Sequence, residues 1–253
     1  MLDFGMDWFE SDDFWRDFYS FMFSPERFAA AKDEVSRIMA LTECHAGTLL
    51  DLCCGPGRHA VEFAHRGFQV TGVDRSPFLL NRAREHALAA GISVEWIKDD
   101  MRNFVRPDTF DMVCNLFTSF GYFKDENEDL QVLRNIHQSL KKGGVVIIDT
   151  LGKEKLARTW QSAICTPLSD GSLLLQRPQV LNDWSRVLSE WTLIKDGYTR
   201  NFTFEHTIYS GRELKDRLLA SGFKKVRLFG DLQGAHYGLD AARLVAVAYK
   251  LAS

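Results

Sequence analysis

The 253-residue sequence lacks the features that mark several classes of protein. Its five cysteines include no Cys-x-x-Cys pair, so the pattern predicts neither a disulfide framework nor a zinc site. No apolar run approaches the roughly 20 residues that a membrane-spanning helix needs. The formal net charge of −3 argues against general binding of nucleic acid, which favours a basic surface. What remains is an ordinary globular composition, with 45% hydrophobic residues and enough length for a sizeable core.

The start of the chain is acidic and rich in aromatic residues. The stretch MLDFGMDWFESDDFW lacks the basic region and the apolar run of a signal peptide. An odd number of cysteines, two of them adjacent, is typical of reduced thiols in a cytosolic protein. We therefore expect a cytoplasmic protein with no membrane partner.

Residues 1–45 are predicted to form helices that are separate from the rest of the chain. Ser11 is placed to cap a helix, and Pro25 breaks or kinks it. The aromatic residues in the first half are too many for one buried stripe of a free helix. Two compatible interpretations follow: the helix docks on the main domain by its aromatic face, or it forms a lid that moves to admit a ligand. We assign residues 1–45 as an N-terminal helical lid.

The chain then alternates between short apolar runs and helical stretches. This alternation predicts an α/β fold built on a doubly wound parallel sheet. Ser76 and Pro77 fit the start of one helix, and Gly91 fits its end. The predicted strands cover residues 48–54, 68–74, 92–100, 109–117 and 145–151, and the predicted helices cover residues 59–67, 76–91 and 127–144.

The pattern changes after residue 165. Three β-rich segments, separated by the turn signals NDW and KDG, predict an antiparallel meander inserted into the domain. A further helix and two strands follow it. We assign residues 46–165 as the core, 166–210 as an inserted antiparallel β cap, and 211–253 as the helix and strands that complete the core. The β-rich segments are 172–181, 185–194 and 198–210, and the closing elements are 210–222, 223–230 and 242–250.

The stretch LLDLCCGPGRHAVEFA, residues 49–64, ends a predicted strand in a glycine loop. Its GPGRHA run, with Gly55 and Gly57, fits the G-x-G-x-x-G/A pattern that brings the backbone close to a nucleotide cofactor. Asp74 ends the next strand, where a carboxylate can accept hydrogen bonds from both ribose hydroxyls of a nucleoside. His59 is expected to bond the loop backbone. These features fit any adenosine cofactor.

Asp51 distinguishes between those cofactors. Beside the pyrophosphate of NAD its carboxylate is repelled, whereas beside an ammonium or a sulfonium it is favourable. S-adenosylmethionine carries both cations and no phosphate. Asp100, at the end of the third strand, can accept from the adenine amine, although a helix cap or a solvated turn explains an isolated acid there equally well. Three acids at three successive strand ends favour S-adenosylmethionine over NAD.

These motifs resemble the class I S-adenosylmethionine-dependent methyltransferases over roughly residues 45–250. LLDLCCGPGRHAVEFAHRG, VTGVDRS, DDMRNF and FDMVCNLFTSFGYF follow the order and spacing of that family's motifs. The resemblance implies a Rossmann-like sheet of seven strands whose last strand is antiparallel. It places the methionine moiety at Asp51 and the Gly55–Gly57 loop, the ribose at Asp74, and the adenine at Asp100 and the Met101 backbone.

The same resemblance adds further cofactor residues. It implies that Cys53 and Leu116 contact the cofactor and that Tyr19 belongs to an N-terminal segment that closes over it. Arg75 follows the ribose acid where an apolar residue is commoner, and it can stack near the adenine. We expect no metal, because the acidic run KDENED after the fourth strand is typical of a solvated helix start.

The segment NLFTSFGYF after the fourth predicted strand bears on the methyl acceptor. Enzymes that methylate the amino groups of nucleic-acid bases typically show an acid or Asn followed by Pro-Pro-aromatic, and this motif is absent. FTSFGYF together with the meander looks similar to small-molecule methyltransferases, including the aminosugar N-methyltransferases of antibiotic biosynthesis. The resemblance implies that the inserted meander roofs an acceptor cleft.

Two residues are candidates for a catalytic base. Methyl transfer from an activated sulfonium depends mainly on in-line positioning, which contributes on the order of 7–11 kcal/mol. An amine or hydroxyl acceptor must also lose a proton. His206, on a strand face with two phenylalanines, is the first candidate, and a hydrogen-bonded core histidine is the alternative. Tyr122 is the second, and a packed aromatic is the alternative. Weaker candidates are Tyr209, His236 and Tyr237.

The predicted function is transfer of a methyl group from S-adenosyl-L-methionine to nitrogen or oxygen of a small-molecule acceptor, with S-adenosyl-L-homocysteine as product. One alternative is methylation of RNA or protein. More remote alternatives are an NAD-dependent oxidoreductase and a non-catalytic protein that retains the cofactor fold.

Overall fold

The structure of the protein, a computed structural model, describes residues 7–251. Within that range it contains eleven β-strands, which form two sheets. In chain order the strands are β1 (Thr48–Leu52), β2 (Gln69–Asp74), β3 (Glu95–Lys98), β4 (Phe110–Asn115), β5 (Leu140–Thr150), β6 (Ile164–Pro167), β7 (Leu173–Leu181), β8 (Arg186–Lys195), β9 (Tyr198–Thr207), β10 (Lys225–Phe229) and β11 (Leu244–Tyr249).

Eight α-helices lie among the described residues. None of them is long and apolar enough to cross a membrane. They are α1 (Asp12–Asp17), α2 (Tyr19–Met22), α3 (Pro25–Thr42), α4 (Arg58–His65), α5 (Pro77–Ala89), α6 (Glu126–Ser139), α7 (Lys153–Arg158) and α8 (Gly211–Ala220).

The central sheet has seven strands in the order β10-β11-β5-β4-β1-β2-β3. Strand β1 is parallel to β2 and β4, whereas β11 is antiparallel to both of its neighbours, β5 and β10. Val146, Ile147 and Ile148 of β5 are fully buried, since hydrophobic clusters cover both faces of the sheet. The predicted seven-stranded sheet with an antiparallel last strand is confirmed. The strand order reverses between β1 and β4, where open α/β sheets bind ligands.

The helices around this sheet start at the predicted residues. Ser76 caps α5, because its Oγ accepts a hydrogen bond from the backbone N–H of Leu79 at 3.2 Å. Ser11 caps α1 in the same way. Pro25 begins α3 after α2 has ended at Met22, so the helical segment is broken there, as predicted, and is not kinked. A proline fits this first position because its missing N–H would have no partner there.

Helix α6 is shorter than predicted. It ends at Ser139 and not at Gly144, because Leu140 already pairs with Phe110 in the central sheet. A register shift between Phe110 and Met112 accommodates this early pairing. The basic turn and the glycines after Ser139, expected to end the helix, belong to β5 instead.

The second sheet is antiparallel, in the order β6-β7-β8-β9. Strands β7, β8 and β9 form the predicted meander, which is confirmed. The turn signal NDW gives three successive residues with positive φ, Asn182, Asp183 and Trp184, between β7 and β8. Strand β6 and helix α7 were not predicted. The short strand β6 is mostly exposed and so carries no alternating apolar pattern.

The N-terminal segment packs against the antiparallel sheet by its aromatic face. Phe14 and Phe18 are buried, and the Phe18 ring centroid lies 5.0 Å from that of Trp191 on β8 and 5.1 Å from that of Phe202 on β9. We name residues 7–23 the N-terminal cover. The cover is docked, as the first interpretation of its aromatic residues predicted, and its movement as a lid stays a prediction.

Candidate active site

A cleft lies at the carboxyl ends of β1, β2 and β4, against the N-terminal cover. It contains about 890 Å³ of empty space, part of it open to solvent. We name it the inner cleft. The structure brings most of the predicted cofactor residues together in its lining. These are Asp51, Cys53, Gly55, Asp74, Arg75, Asp100, Met101 and Leu116.

Two other predicted cofactor residues lie outside this lining. The Tyr19 ring packs against Phe23 and Phe78, at centroid distances of 5.4 and 5.7 Å, and of these Phe23 lines the cleft. Gly57 has a φ of 76°, and a Cβ placed on it would lie 2.7 Å from the Trp96 ring. Close packing therefore requires glycine at position 57. Cofactor contacts for Tyr19 and Gly57 stay predictions.

Asp74 fastens the glycine loop to the end of β2. Its Oδ2 accepts a hydrogen bond from the Gly55 N–H at 2.7 Å, and its Oδ1 accepts one from the Ser76 N–H at 2.9 Å. Burial raises the pKa of Asp74 to about 6, although these backbone donors oppose the shift. Each carboxylate oxygen can accept a second hydrogen bond. Asp74 can therefore hold the loop and still receive two ribose hydroxyls.

Asp51 presents a buried carboxylate to the same cleft. The residue is 2% exposed, and its Oδ2 has no hydrogen-bond partner within residues 7–251. Burial raises the pKa of Asp51 to about 7, the Arg58 guanidinium opposes that shift, and the Asp74 carboxylate adds to it. An unpartnered buried carboxylate oxygen costs free energy until a donor reaches it. The ammonium of S-adenosylmethionine is a donor of the required charge.

Asp100 is already held by two arginines. Its Oδ1 accepts from the Arg102 backbone N–H at 2.8 Å, Arg102 Nη2 contacts Oδ2 at 2.8 Å, and Arg75 also pairs with Oδ2. Burial alone would raise the pKa of Asp100, but the hydrogen bonds from Arg102 lower it overall. A hydrogen bond from the adenine amine to Asp100 would therefore compete with these ion pairs or add to them. This contact with adenine stays a prediction.

The rest of the inner cleft is mainly apolar. The Cys53 Sγ lies 3.4 Å from the Met101 Sδ, and burial raises the pKa of the Cys53 thiol, which keeps it neutral. Leu116 follows β4 and is 5% exposed. Such a surface suits the sulfur and the methylene groups of a methionine moiety better than a phosphate.

The N-terminal cover supplies one wall of the inner cleft. Phe9 and Trp15 line the cleft, and the Trp15 indole N–H donates to the Phe9 carbonyl at 2.8 Å. Polar contacts fasten this wall to the end of β2, since Ser76 Oγ lies 3.2 Å from Asp12 Oδ1 and Arg75 pairs with Glu10. The Arg75 guanidinium also lies over the Phe9 ring, at 5.7 Å.

A second, wider space adjoins the inner cleft beneath the antiparallel sheet. It contains about 1440 Å³, part of it open to solvent, and we name it the outer cavity. Three residues line both spaces: Met22, Phe117 and Tyr122. The aromatic residues of its lining are Trp8, Phe14, Phe21, Phe117, Tyr122, Trp160, Trp191 and Phe204. The meander therefore covers a cavity next to the inner cleft, where the resemblance predicted an acceptor site.

Both candidate bases line the outer cavity. Burial lowers the pKa of His206 to about 4, and the nearby Arg186 guanidinium adds to the shift. The imidazole is therefore neutral at physiological pH and can accept a proton. Burial raises the pKa of Tyr122, so its hydroxyl stays protonated. Tyr122 lies between the two spaces, and its ring centroid is 4.7 Å from that of Trp8.

The weaker candidates lie outside the linings of both spaces. The Tyr209 hydroxyl is 2.6 Å from the Asp129 Oδ2, and the Tyr237 hydroxyl is 2.5 Å from the Glu154 Oε2. His236 forms an isolated bridge with Phe229. A catalytic role for any of the three stays a prediction.

His59 has a different partner from the one expected. Its Nε2 lies 2.7 Å from the Glu34 Oε2 on α3, and not on the loop backbone. The same Glu34 oxygen accepts from Arg58 Nη1 at 2.5 Å. Burial alone would raise the pKa of Glu34, but these two partners lower it to about 2. The three side chains connect α3 to the start of α4, directly behind the glycine loop.

The sequence analysis did not predict a strained loop that follows β4. Phe117 and Thr118 have φ values of 60° and 64°, a left-handed conformation that is rare for such side chains. Asp149 holds the loop by accepting from the N–H of Phe117 at 3.1 Å, and it forms a two-point ion pair with Arg243 at 2.6 and 3.0 Å. The local sequence does not predict two successive left-handed residues, because the side chains that hold them, Asp149 of β5 and Arg243, are distant in the chain.

Comparison with known proteins identifies a methyltransferase domain within the chain. Residues 49–144 match the model of a methyltransferase domain. A Geobacillus sp. (strain WCH70) protein, whose name assigns it provisionally to the methyltransferases, is 34% identical over 121 residues, which cover 48% of this chain and 49% of the relative.

A second relative is the dTDP-3-amino-3,4,6-trideoxy-alpha-D-glucopyranose N,N-dimethyltransferase of Streptomyces venezuelae. It is 28% identical over 137 residues, which cover 54% of this chain and 56% of the relative. The alignments thus span about half the length of both curated relatives.

The fold extends over nearly the whole chain. The crystal structure of an S-adenosylmethionine-dependent methyltransferase from Clostridium acetobutylicum ATCC 824 superposes with a TM-score of 0.80, covering 95% of this chain and 98% of that one at 16% identity. The resemblance stated from the motifs is confirmed. The chain carries a methyltransferase domain at residues 49–144 and has the fold of the S-adenosylmethionine-dependent methyltransferases.

Proposed function

We propose that the protein transfers a methyl group from S-adenosylmethionine to a small-molecule acceptor. The observation that carries the proposal is the Asp51 carboxylate, buried at the inner cleft with an Oδ2 that no group of residues 7–251 satisfies. The cofactor's ammonium meets that need, whereas the pyrophosphate of NAD would be repelled by it. Asp51 would hold the methionine end and Asp74 the ribose. When bound, the cofactor supplies an activated methyl group on a sulfonium.

The chain's own residues then bind, orient and exclude water. The N-terminal cover lines both spaces with aromatic side chains, which keeps water from the reacting groups. The position of Tyr122 at the junction of the two spaces supports a role in orienting an acceptor toward the inner cleft. We propose that His206, which burial keeps neutral, accepts the proton that an amine or a hydroxyl loses.

The acceptor proposed is a small molecule methylated on nitrogen or oxygen. The meander and the N-terminal cover form much of the wall of the outer cavity, so a concave space of this kind suits a compact ligand better than a protein or RNA strand. The name of the Streptomyces relative specifies an amino-sugar substrate for that protein. We also propose a cytoplasmic location, because all five cysteines are free thiols.

Calorimetric titration tests this function. We expect S-adenosylmethionine and S-adenosylhomocysteine to bind in the micromolar range and NAD to give no response. Asp51→Asn should weaken S-adenosylmethionine binding by about 10- to 100-fold, as expected for loss of a charged hydrogen-bonding partner. Asp108→Asn, at an exposed ion pair with Lys250, is the matched control and should bind normally. Binding of NAD alone would overturn the proposal.

A further inference from the structure

Arg75 joins two carboxylates that belong to different parts of the fold. It follows Asp74 at the end of β2 and lines the inner cleft. One nitrogen of its guanidinium, Nη1, pairs with Asp100 after β3, and the other, Nη2, pairs with Glu10 of the N-terminal cover. Arg75 therefore connects the acid expected to bind adenine with the segment that forms one wall of the cleft.

The acceptor positions of Asp100 are all in use. A carboxylate offers about four lone-pair positions, two on each oxygen. The Arg102 backbone N–H and Nε donate to Oδ1 at 2.8 and 3.0 Å, and Arg102 Nη2 donates to Oδ2 at 2.8 Å. Arg75 Nη1 takes the remaining position, also on Oδ2. An adenine amine can therefore bond to Asp100 only if one of these donors leaves.

Arg75 is the donor that can leave at the smaller cost. Arg102 makes three hydrogen bonds to Asp100, and Glu128 holds its Nη1 at 2.8 Å. Arg75 makes a single bond to Asp100, and its side chain is 36% exposed, compared with 23% for Arg102. Because its other nitrogen already contacts Glu10, the Arg75 guanidinium keeps a carboxylate partner when it leaves Asp100.

We propose that the adenine amine of the cofactor displaces Arg75 from Asp100 and that the released guanidinium binds Glu10 with both terminal nitrogens. The inference rests on the proposed function and gives Arg75 a positioning role within it. In the structure Nη1 is engaged with Asp100, so Nη2 makes the contact with Glu10. Once Nη1 is free, the planar fork can take both carboxylate oxygens of Glu10, which is the stronger arrangement. Occupancy of the adenine end thus tightens the N-terminal cover over the ligand.

Neighbouring contacts keep the cover close enough for this exchange of partners. Ser76 Oγ lies 3.2 Å from Asp12 Oδ1, and the Arg75 guanidinium lies over the Phe9 ring at 5.7 Å. These contacts hold the cover against the end of β2, so the exchange needs only a movement of the Arg75 side chain. Phe9 also lines the inner cleft, and a tightened cover therefore presses on the space that holds the ligand.

Stacking on the adenine ring is the alternative role for Arg75. A guanidinium can pack flat on an aromatic ring, and this requires no change of its carboxylate partners. Stacking depends on the ring, whereas displacement from Asp100 depends on the exocyclic amine. A ligand that keeps the ring and lacks the amine therefore distinguishes the two roles.

Hydrogen exchange of the N-terminal cover tests the proposal. Amide exchange is measured by mass spectrometry without ligand and with saturating S-adenosylhomocysteine, and the slowing caused by the ligand is compared between proteins. We expect this slowing in the cover to be about threefold smaller in Arg75→Met and in Glu10→Gln than in wild type, as a partly exposed ion pair provides. The slowing at the glycine loop, residues 53–57, should be the same in all three proteins.

S-inosylhomocysteine isolates the amine, because a ring carbonyl replaces it. At a concentration that protects the glycine loop fully, this ligand should slow exchange in the wild-type cover about threefold less than S-adenosylhomocysteine does. In Arg75→Met the two ligands should slow the cover equally. Arg84→Met, exposed on α5 and bonded to Asn81 at 3.0 Å, is the matched control and should behave as wild type.

Three outcomes would overturn the proposal. The first is equal slowing of the cover by S-adenosylhomocysteine in wild type and Arg75→Met. The second is an Arg75→Met variant whose cover exchanges faster by the same factor with and without ligand, since the ion pair to Glu10 would then be static. The third is equal slowing of the wild-type cover by both ligands, which indicates stacking. Failure of wild-type protein to bind S-adenosylhomocysteine would instead contradict the proposed function itself, so the two failures are distinguishable.

Discussion

The carboxylate of Asp74 and the backbone N–H of Gly55 are joined by a hydrogen bond of 2.7 Å, although 19 residues separate them in the chain. The acid expected to bind ribose therefore also shapes the loop expected to approach the cofactor. Removing the carboxylate should affect the loop and the ligand together.

Asp74→Ala should weaken S-adenosylhomocysteine binding by about 10- to 100-fold, because a charged hydrogen bond contributes roughly 1.5–3 kcal/mol. It should also lower the free energy of unfolding, since the N–H groups of Gly55 and Ser76 lose their acceptor. Calorimetry and denaturant titration measure the two effects. Asp74→Asn helps to separate the effect on stability from the effect on binding, because its amide oxygen can still accept a hydrogen bond from one of the two backbone N–H groups. Unchanged affinity in Asp74→Ala would remove the ribose assignment.

The pH dependence of stability should report on Asp51. Its pKa is about 7 in the folded protein and 3.8 as an ordinary carboxyl, so the fold favours the protonated form. The stability that this group contributes is present below about pH 4 and is lost as the pH rises through about 7. Asp51→Asn, which does not titrate, should therefore unfold at higher denaturant than wild type at pH 8, with a smaller difference at pH 5.

Cofactor affinity should change in the opposite direction. The ammonium of the cofactor favours ionised Asp51, so wild-type affinity should rise with pH through about 7 relative to Asp51→Asn. Burial raises the pKa values of Asp74 and Asp129 to about 6, so these two groups also make stability depend on pH. The comparison with Asp51→Asn is therefore needed to isolate the effect of Asp51. Parallel pH profiles of the two proteins would contradict the role of Asp51.

His206→Gln should lower kcat by about 100-fold or more with little change in KM, as expected for loss of a general base. Because the pKa of His206 is about 4, wild-type activity should persist well below the ordinary histidine pKa of 6.5. The depressed pKa also means that stability from the neutral imidazole is lost as pH falls from 6.5 toward 4. His65→Gln, exposed at the end of α4, is the control. Normal kcat in His206→Gln would make His206 structural.

Gly57→Ala should destabilise the fold more than Gly67→Ala. Both glycines have positive φ, 76° and 91°, so both substitutions strain the backbone. A Cβ at Gly57 would also lie 2.7 Å from Trp96 and 3.0 Å from Ala83, whereas one at Gly67 meets nothing within 4 Å. The difference in unfolding free energy between the variants therefore reports mainly on the packing clash. Equal values would show that Trp96 moves aside without cost.

Local patterns predicted the sheet because they depend on neighbouring residues. Strand β1 and the buried second part of β5 are short, mostly apolar runs, and Ser76 followed by Pro77 has the pattern of a helix start. The same reasoning predicted too late an end for the helix that follows Asp125. Leu140 leaves the helix because it pairs with Phe110 in the central sheet, and helical propensity contains no information on that tertiary contact.

The residues on the cofactor side of the site could be predicted from the sequence, whereas those on the acceptor side could be predicted only in part. Asp51, Gly55 and Asp74 follow strand ends, and parallel strands bring their carboxyl ends to one edge. Arg27 and Arg243, which line the outer cavity, come from distant parts of the chain, and only the fold shows that, within residues 7–251, Arg243 has a carboxylate partner and Arg27 has none. The sequence contains 31 Lys and Arg residues, and spacing alone cannot single out these two.

The N-terminal cover lines two spaces at once, with Phe9 and Trp15 on the inner cleft and Trp8 and Phe14 on the outer cavity. A ligand that orders this segment from one side therefore prepares the wall for a ligand on the other side. The affinities for cofactor and acceptor should be cooperative and, by thermodynamic linkage, reciprocal: each should strengthen the other by the same factor.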